Sequence, residues 1–147
     1  MDQLQKFLLE LGEGFAFIGR QYPICVEGDT YYIDLLFFHT KLRCYIVVEL
    51  KAKDFDPKDV GQINFYLSAV DDTLRHTEDR PTIGILLCKT KKKLKVEYAV
   101  RNLKKPISVS SYELIVKSLP RDLKPSLPTI EQIETELRKD LKKKKKG

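Results

Sequence analysis

Two strand-length apolar runs, residues 31–38 (YYIDLLFF) and 44–50 (CYIVVEL), flank the segment Thr40-Lys41-Leu42-Arg43, and each is interrupted by one carboxylate, Asp34 in the first and Glu49 in the second. Aromatic and β-branched residues at this density favour extended chain, and each run has the usual strand length of roughly five to eight residues. Paired as a hairpin about residues 40–43, the runs set Asp34 opposite Glu49, with Cβ atoms about 5 Å apart. Side chains alternate along a strand, so Glu49 and Lys51 share a face while Leu50 enters the opposite layer. That register rests on a loop with no Asn-Gly or Gly turn signal, and a slip of one residue would send Asp34 to the other face.

Two carboxylates side by side repel, and taking either out of water without compensation is costly, so the pair calls for a cation. A hard divalent ion suits it, because Mg²⁺ prefers oxygen ligands, keeps several waters and commonly uses only one or two protein carboxylates. With Lys51 beside the ion to orient an attacking water, the arrangement suits phosphodiester hydrolysis. The plainer alternative makes Glu49 and Lys51 the solvated end of a strand, with Asp34 held in a salt bridge. An isolated Glu-x-Lys is common; Asp34 at hairpin spacing is what favours the metal site.

The order helix, strand, Asp-bearing strand, Glu-Leu-Lys-bearing strand and Gln-bearing helix resembles the PD-(D/E)XK nuclease superfamily, with Asp34 and Glu49-Leu50-Lys51 as its motif. More narrowly, FLLELGEGFAFIGRQYPICVEGDTYYIDLLFFH, VELKAKDFDPKDVGQINFYLSAVD and RPTIGILLCK resemble the C-terminal domain of the YhcG-like bacterial nucleases. Several motifs in order are far more specific than a lone Glu-x-Lys. The resemblance implies an α/β fold, a restriction-endonuclease-like core with a mixed central β-sheet flanked by helices, and Mg²⁺-dependent endonucleolytic cleavage of nucleic acid, DNA foremost. Under it, Asp34, Glu49 and the Leu50 carbonyl hold one or two Mg²⁺, with Mn²⁺ as a substitute, and Lys51 positions the water. Glu10, in the matched FLLELG segment, and Gln62 assist. Ile33 stands where the superfamily's name has Pro. In the larger family a helical region precedes the nuclease part, so the resemblance implies a trimmed or stand-alone version, or one served by a helical partner domain.

At 147 residues and 42% hydrophobic, the chain is expected to bury roughly two-thirds of its unfolded surface. Its formal net charge of +6 suits a polyanionic partner. Without Lys142 to Lys146 the balance is only about +1, so a basic surface must be local. Lys53, Lys91, Lys92 and Lys93 are candidate phosphate contacts; for the last three a flexible charged loop is the bland alternative. Arg20 is read either as a phosphate contact or as an ordinary surface arginine. Cys25, Cys44 and Cys88 lie singly in apolar runs and read as buried thiols of a reducing compartment, the cytoplasm. No apolar stretch is long enough to span a membrane. His39 and His76 lack the spacing of a zinc site and read as surface or loop residues.

Leu4, Phe7, Leu8 and Leu11 give an amphipathic helix stopped by Gly12 and Gly14. Strands are expected over 15–18 and 22–27, with a bend at Gly19-Arg20-Gln21, and Gly28-Asp29 turns into the Asp34 strand. Asp56 and Pro57 open a helix to about residue 71, with Val60, Ile63, Leu67 and Val70 buried and Gln62 and Tyr66 on an adjacent face. An interior strand over 82–88 runs parallel to the Glu49 strand. A short helix over 94–100 packs on the sheet, and a strand follows over 107–112. The expected organisation is a nuclease-like domain over 1–119, a Pro-rich linker and C-terminal helix over 120–141, and a disordered lysine tail over 142–147. Cutting both strands of a duplex with one site per chain would call for a two-fold dimer. The rivals are a non-catalytic nucleic-acid-binding or assembly module, which would bind DNA without metal, and a protein-binding scaffold, which would bind neither.

Overall fold

A computed structural model describes residues 14–112 and 130–146. Glu10, the amphipathic segment around it and the linker prolines Pro120, Pro125 and Pro128 lie outside the described residues. In chain order the elements are β1 (Phe15–Val26), β2 (Asp29–His39), β3 (Cys44–Lys51), α1 (Lys58–Thr73), β4 (Ile83–Cys88), α2 (Lys93–Val100), β5 (Ile107–Ser111) and α3 (Ile130–Lys146). The strands form one mixed sheet in the order β1-β2-β3-β4-β5. β1, β2 and β3 are antiparallel neighbours, whereas β3, β4 and β5 run parallel, with α1 and α2 in the crossovers.

The hairpin register is the one the apolar runs demand: His39 pairs with Cys44 and Leu35 with Val48, so the next step sets Asp34 against Glu49. Its turn closes without glycine. Arg43 takes the left-handed conformation at φ 56, and its N–H donates to the His39 carbonyl at 2.8 Å. The Leu42 N–H donates to His39 Nδ1 at 3.1 Å, while the His39 ring packs edge-on against Phe15. His39 is therefore a turn-closing residue; His76 is exposed, as expected.

Two apolar layers cover the sheet. Leu36, Val47 and Leu86 meet Val60, Ile63, Leu67 and Val70 of α1, all buried. On the other side Leu35, Phe37, Ile46, Val48 and Leu50 gather with Tyr112 and with Leu137 of α3. Asp56 starts α1 by accepting the Lys58 N–H at 3.0 Å, satisfying one of the unpaired donors of a helix start. Gly84 of β4 lies under this helix: a Cβ there would come within 3.1 Å of Ile63 Cδ1 and 3.2 Å of Leu67 Cδ1. Gly84→Ala is accordingly expected to destabilise the fold by about 1–3 kcal/mol through overpacking, read as a lower denaturant midpoint with an unchanged m-value.

Two expectations, the split N-terminal strands and a buried Cys25, are corrected. The two short N-terminal strands are one continuous β1, in which a register irregularity between Phe17 and Gly19 and a positive φ of 46 at Gln21 absorb the expected bend. Cys25 is exposed while Cys44 and Cys88 are buried, because β1 is an edge strand whose alternation turns Ile24 inward and Cys25 outward. α2 packs on the sheet as expected, through half-buried Val96, Ala99 and Val100, although none of its side chains is fully buried. The backbone of α3 is helical through Lys146. No helix among the described residues is long and apolar enough to cross a membrane.

Candidate active site

At Asp34 the β2–β3 ladder gives way to a reciprocal exchange between side chains and backbone. The Asp34 N–H donates to Glu49 Oε2 at 2.7 Å, and the Leu50 N–H donates to Asp34 Oδ2 at 2.9 Å. Strict alternation also slips here: Ile33 and Leu36 lie in one apolar layer, Leu35 and Phe37 in the other. From β1, Gln21 Nε2 donates to Asp34 Oδ1 at 3.1 Å, and Gln21 is only 3% exposed. It takes a left-handed backbone, φ 46, at the register position opposite Asp34, between the pairs Arg20–Leu35 and Tyr22–Ile33.

Glu49 is as deeply buried as Gln21, at 3% exposure. Burial, and then the charge of Asp34, push its carboxyl well above the usual carboxylate range. Burial raises the Asp34 carboxyl too, against the hydrogen bonds from Leu50 and Gln21 and the charge of Lys51. The pair is thus short of positive charge, which Lys51 alone does not supply.

Lys51 ends β3 on the face that looks toward α1, where its Nζ donates to Gln62 Oε1 at 2.9 Å. The Gln62 amide in turn lies 3.4 Å from the Tyr66 hydroxyl. Burial, followed by the charges of Glu49 and Asp34, pushes that hydroxyl up to about 12. These side chains line a cleft of about 380 Å³ whose far wall is α3, through Glu134, Leu137 and Arg138.

Asp34, Glu49, Lys51 and Gln62 are therefore brought together as the spacing predicts, with the Leu50 backbone between the carboxylates. The two carboxylates offer hard oxygens, and no group of three His, Cys, Asp or Glu suited to a metal occurs among the described residues. Such a pair fits Mg²⁺ better than zinc, since Mg²⁺ needs only one or two protein carboxylates. The basic candidates are scattered. Half-buried Arg20 sits on β1 opposite Leu35, and Lys53 lines a second cavity beside Lys51. Lys91 donates from Nζ to the Val109 carbonyl at 2.9 Å, while Lys92 and Lys93 are exposed at the start of α2. Among the described residues, no hydrogen bond joins Lys91, Lys92 or Lys93 to the carboxylate pair. Sequence reasoning missed Gln21 and Glu134. The bend at residues 19–21 was a faint signal for the first; nothing local announces the second.

A family model described as the YhcG PDDEXK nuclease domain matches residues 1–128. The Escherichia coli (strain K12) protein named "Putative nuclease YhcG" is 37% identical over 114 residues, which cover 78% of this chain and 30% of that protein. The chain thus spans less than a third of that relative. Among solved structures, a repair endonuclease from Pyrococcus abyssi shares the fold with a TM-score of 0.52 at 16% identity, over 74% of this chain and 46% of that one. The EndoMS-dsDNA2 complex gives 0.53 at 14% identity, over 74% and 43%.

Proposed function

The chain belongs to the YhcG PDDEXK nuclease domain family, and from that premise we propose that it hydrolyses phosphodiester bonds of nucleic acid, DNA foremost, as an endonuclease that depends on a divalent cation. The observation that carries the reading is the Asp34–Glu49 pair, Glu49 buried and Asp34 half-buried, with the Asp34 N–H on Glu49, the Leu50 N–H on Asp34, and Lys51 held beside them by Gln62. Asp34, Glu49 and the Leu50 carbonyl would hold Mg²⁺, with Mn²⁺ as a substitute. When bound, the ion supplies Lewis-acid activation of water and offsets charge developing on phosphate.

The remaining chemistry belongs to side chains. Gln62 Oε1 takes one ammonium hydrogen of Lys51, leaving two to orient the attacking water and meet the developing phosphorane charge. Tyr66 stays protonated at neutral pH, so its hydroxyl is a fixed neighbour for the Gln62 amide. Gln21 holds Asp34 in one rotamer, a preorganising contact of the kind that keeps a site productive. The other candidates, Glu10, Arg20, Lys53, Lys91, Lys92 and Lys93, are assigned to assistance and to phosphate contact. Because the related fold of EndoMS is known with dsDNA, duplex DNA is the first substrate to try. A cytoplasmic setting and a two-fold dimer go with this reading.

The test is cleavage of a panel of duplex, single-stranded and branched DNA and of RNA, in Mg²⁺, Mn²⁺ or EDTA. Cleavage with either ion and none in EDTA is the expected result. Metal-independent binding of DNA without cleavage in any lane would instead identify a non-catalytic binding module.

A further inference from the structure

Helix α3 lies beyond the last residue matched by the family model, 128, yet it walls the cleft, and it does so with carboxylates. Leu137, 2% exposed, anchors it in the layer of Leu35, Val48 and Leu50. One turn earlier, Glu134 Oε2 accepts the backbone N–H of Ala52, the residue that follows Lys51, at 2.5 Å. A further turn back, Glu131 meets the Lys89 ammonium at 3.0 Å. Their i, i+3 spacing sets both carboxylates on one face of the helix. Glu134 and Glu131 both line a cavity of about 440 Å³, together with Lys51, Ala52 and Lys53. Lys51, Glu134 and Arg138 border both this cavity and the cleft over Asp34 and Glu49, so the two spaces adjoin.

A backbone N–H and an ammonium are the groups that receive phosphate oxygens along a nucleic-acid backbone. Here both receive carboxylates from the same chain. Glu134 also stands in the wall of the cleft over Asp34 and Glu49, and it is itself tied to Arg138 one turn on. A polyanion entering beside Lys51 would meet like charge before it met the metal ligands.

We infer that the Ala52 N–H and the Lys89 ammonium form a phosphate subsite of the nucleic-acid path, occupied in this structure by Glu134 and Glu131 of α3 as an internal competitor. Substrate then enters by displacing the helix. The inference rests on the nuclease reading above and names where the backbone of that substrate lies.

The experiment measures binding by the full chain of a short fluorescent duplex DNA in EDTA at fixed salt, alongside hydrogen exchange. The double variant Glu131→Gln with Glu134→Gln is expected to bind about tenfold tighter than wild type, since the competitor loses its charge. Leu137→Ala, which loosens the helix but keeps both carboxylates, is expected to bind tighter as well. Lys89→Ala in the double-variant background is expected to remove much of the gain. In wild type, added DNA should speed amide exchange across residues 131–142 while Ala52 stays protected. Unchanged affinity in both the double variant and Leu137→Ala, or slower exchange in α3 on adding DNA, would overturn the inference. Cleavage is scored separately in Mg²⁺: wild-type cleavage with no affinity gain refutes the subsite alone, whereas an affinity gain with no cleavage by any form refutes the nuclease reading alone.

Discussion

Replacing Lys51 by Ala is expected to lower the cleavage rate by about 10²–10³-fold, the usual effect of deleting one donor aimed at developing charge, with the fold left in place. The side chain is half-exposed at the end of β3 and its hydrogen bond goes to Gln62, not to a core group. Its removal therefore opens no cavity. Asp34→Asn is expected to match or exceed that loss for a different reason: the shape stays, and the amide oxygen still accepts one of the two donors from Leu50 and Gln21, but the charge that would hold the cation is gone. Single-turnover rates with each variant, with circular dichroism to verify folding, decide the matter. Wild-type rates in both would remove these residues from the mechanism.

The second large effect is on stability. The carboxyls of Glu49 and Asp34 both sit above their ordinary range because burial penalises the charged form. A proton is then held more tightly by the folded chain than by the unfolded one. Stability from the pair is complete below the ordinary carboxylate range and is lost as pH rises through the raised values. Asp71 does not confuse this window. Its burial is outweighed by hydrogen bonds from Thr82 and Lys105, which hold it below the usual range, so its contribution is lost only at lower pH. Without divalent cation the protein should melt at lower temperature at about pH 8 than at about pH 5.5. Mg²⁺ at about 100 times its Kd should then restore about 2.7 kcal/mol, a rise of roughly 5–10 °C for a domain of this size. Glu49→Gln should abolish the ion's effect, flatten the pH dependence and melt no lower than the ion-free wild type. A pH-independent melting point with no response to Mg²⁺ would count against a charged pair awaiting a cation.

What the chain discloses about itself divides by range. The Asp34–Glu49 register is legible because two apolar runs of strand length leave one sensible pairing, and the α1 stripe because Val60, Ile63, Leu67 and Val70 repeat at helical spacing and all are buried. The turn that fixes the register carries no glycine signal, because Arg43 adopts the left-handed conformation and the His39 ring takes over a hydrogen bond. Gln21 escaped for a related reason: glutamine at a positive φ inside a strand breaks the local rule, and such breaks gather where a side chain must be aimed. Cys25 was misread because an apolar run says nothing about which strand becomes the edge. Glu134 belongs to no pattern near the site; only tertiary docking brings it to Ala52.

Along the chain, the contacts within the polar centre are short. Gln21 to Asp34, Asp34 to Glu49 and Leu50, and Lys51 to Gln62 span 13, 15, 16 and 11 residues, whereas the bond from Ala52 to Glu134 spans 82. By loop-closure entropy, the longer connection costs about 1.5 kcal/mol more to close than one of roughly 15 residues. None of the short contacts waits for β5 or α3 to dock. During folding the centre can thus close while the C-terminal helix is still searching, and inserting residues ahead of Ile130 would weaken the cover without touching what it covers.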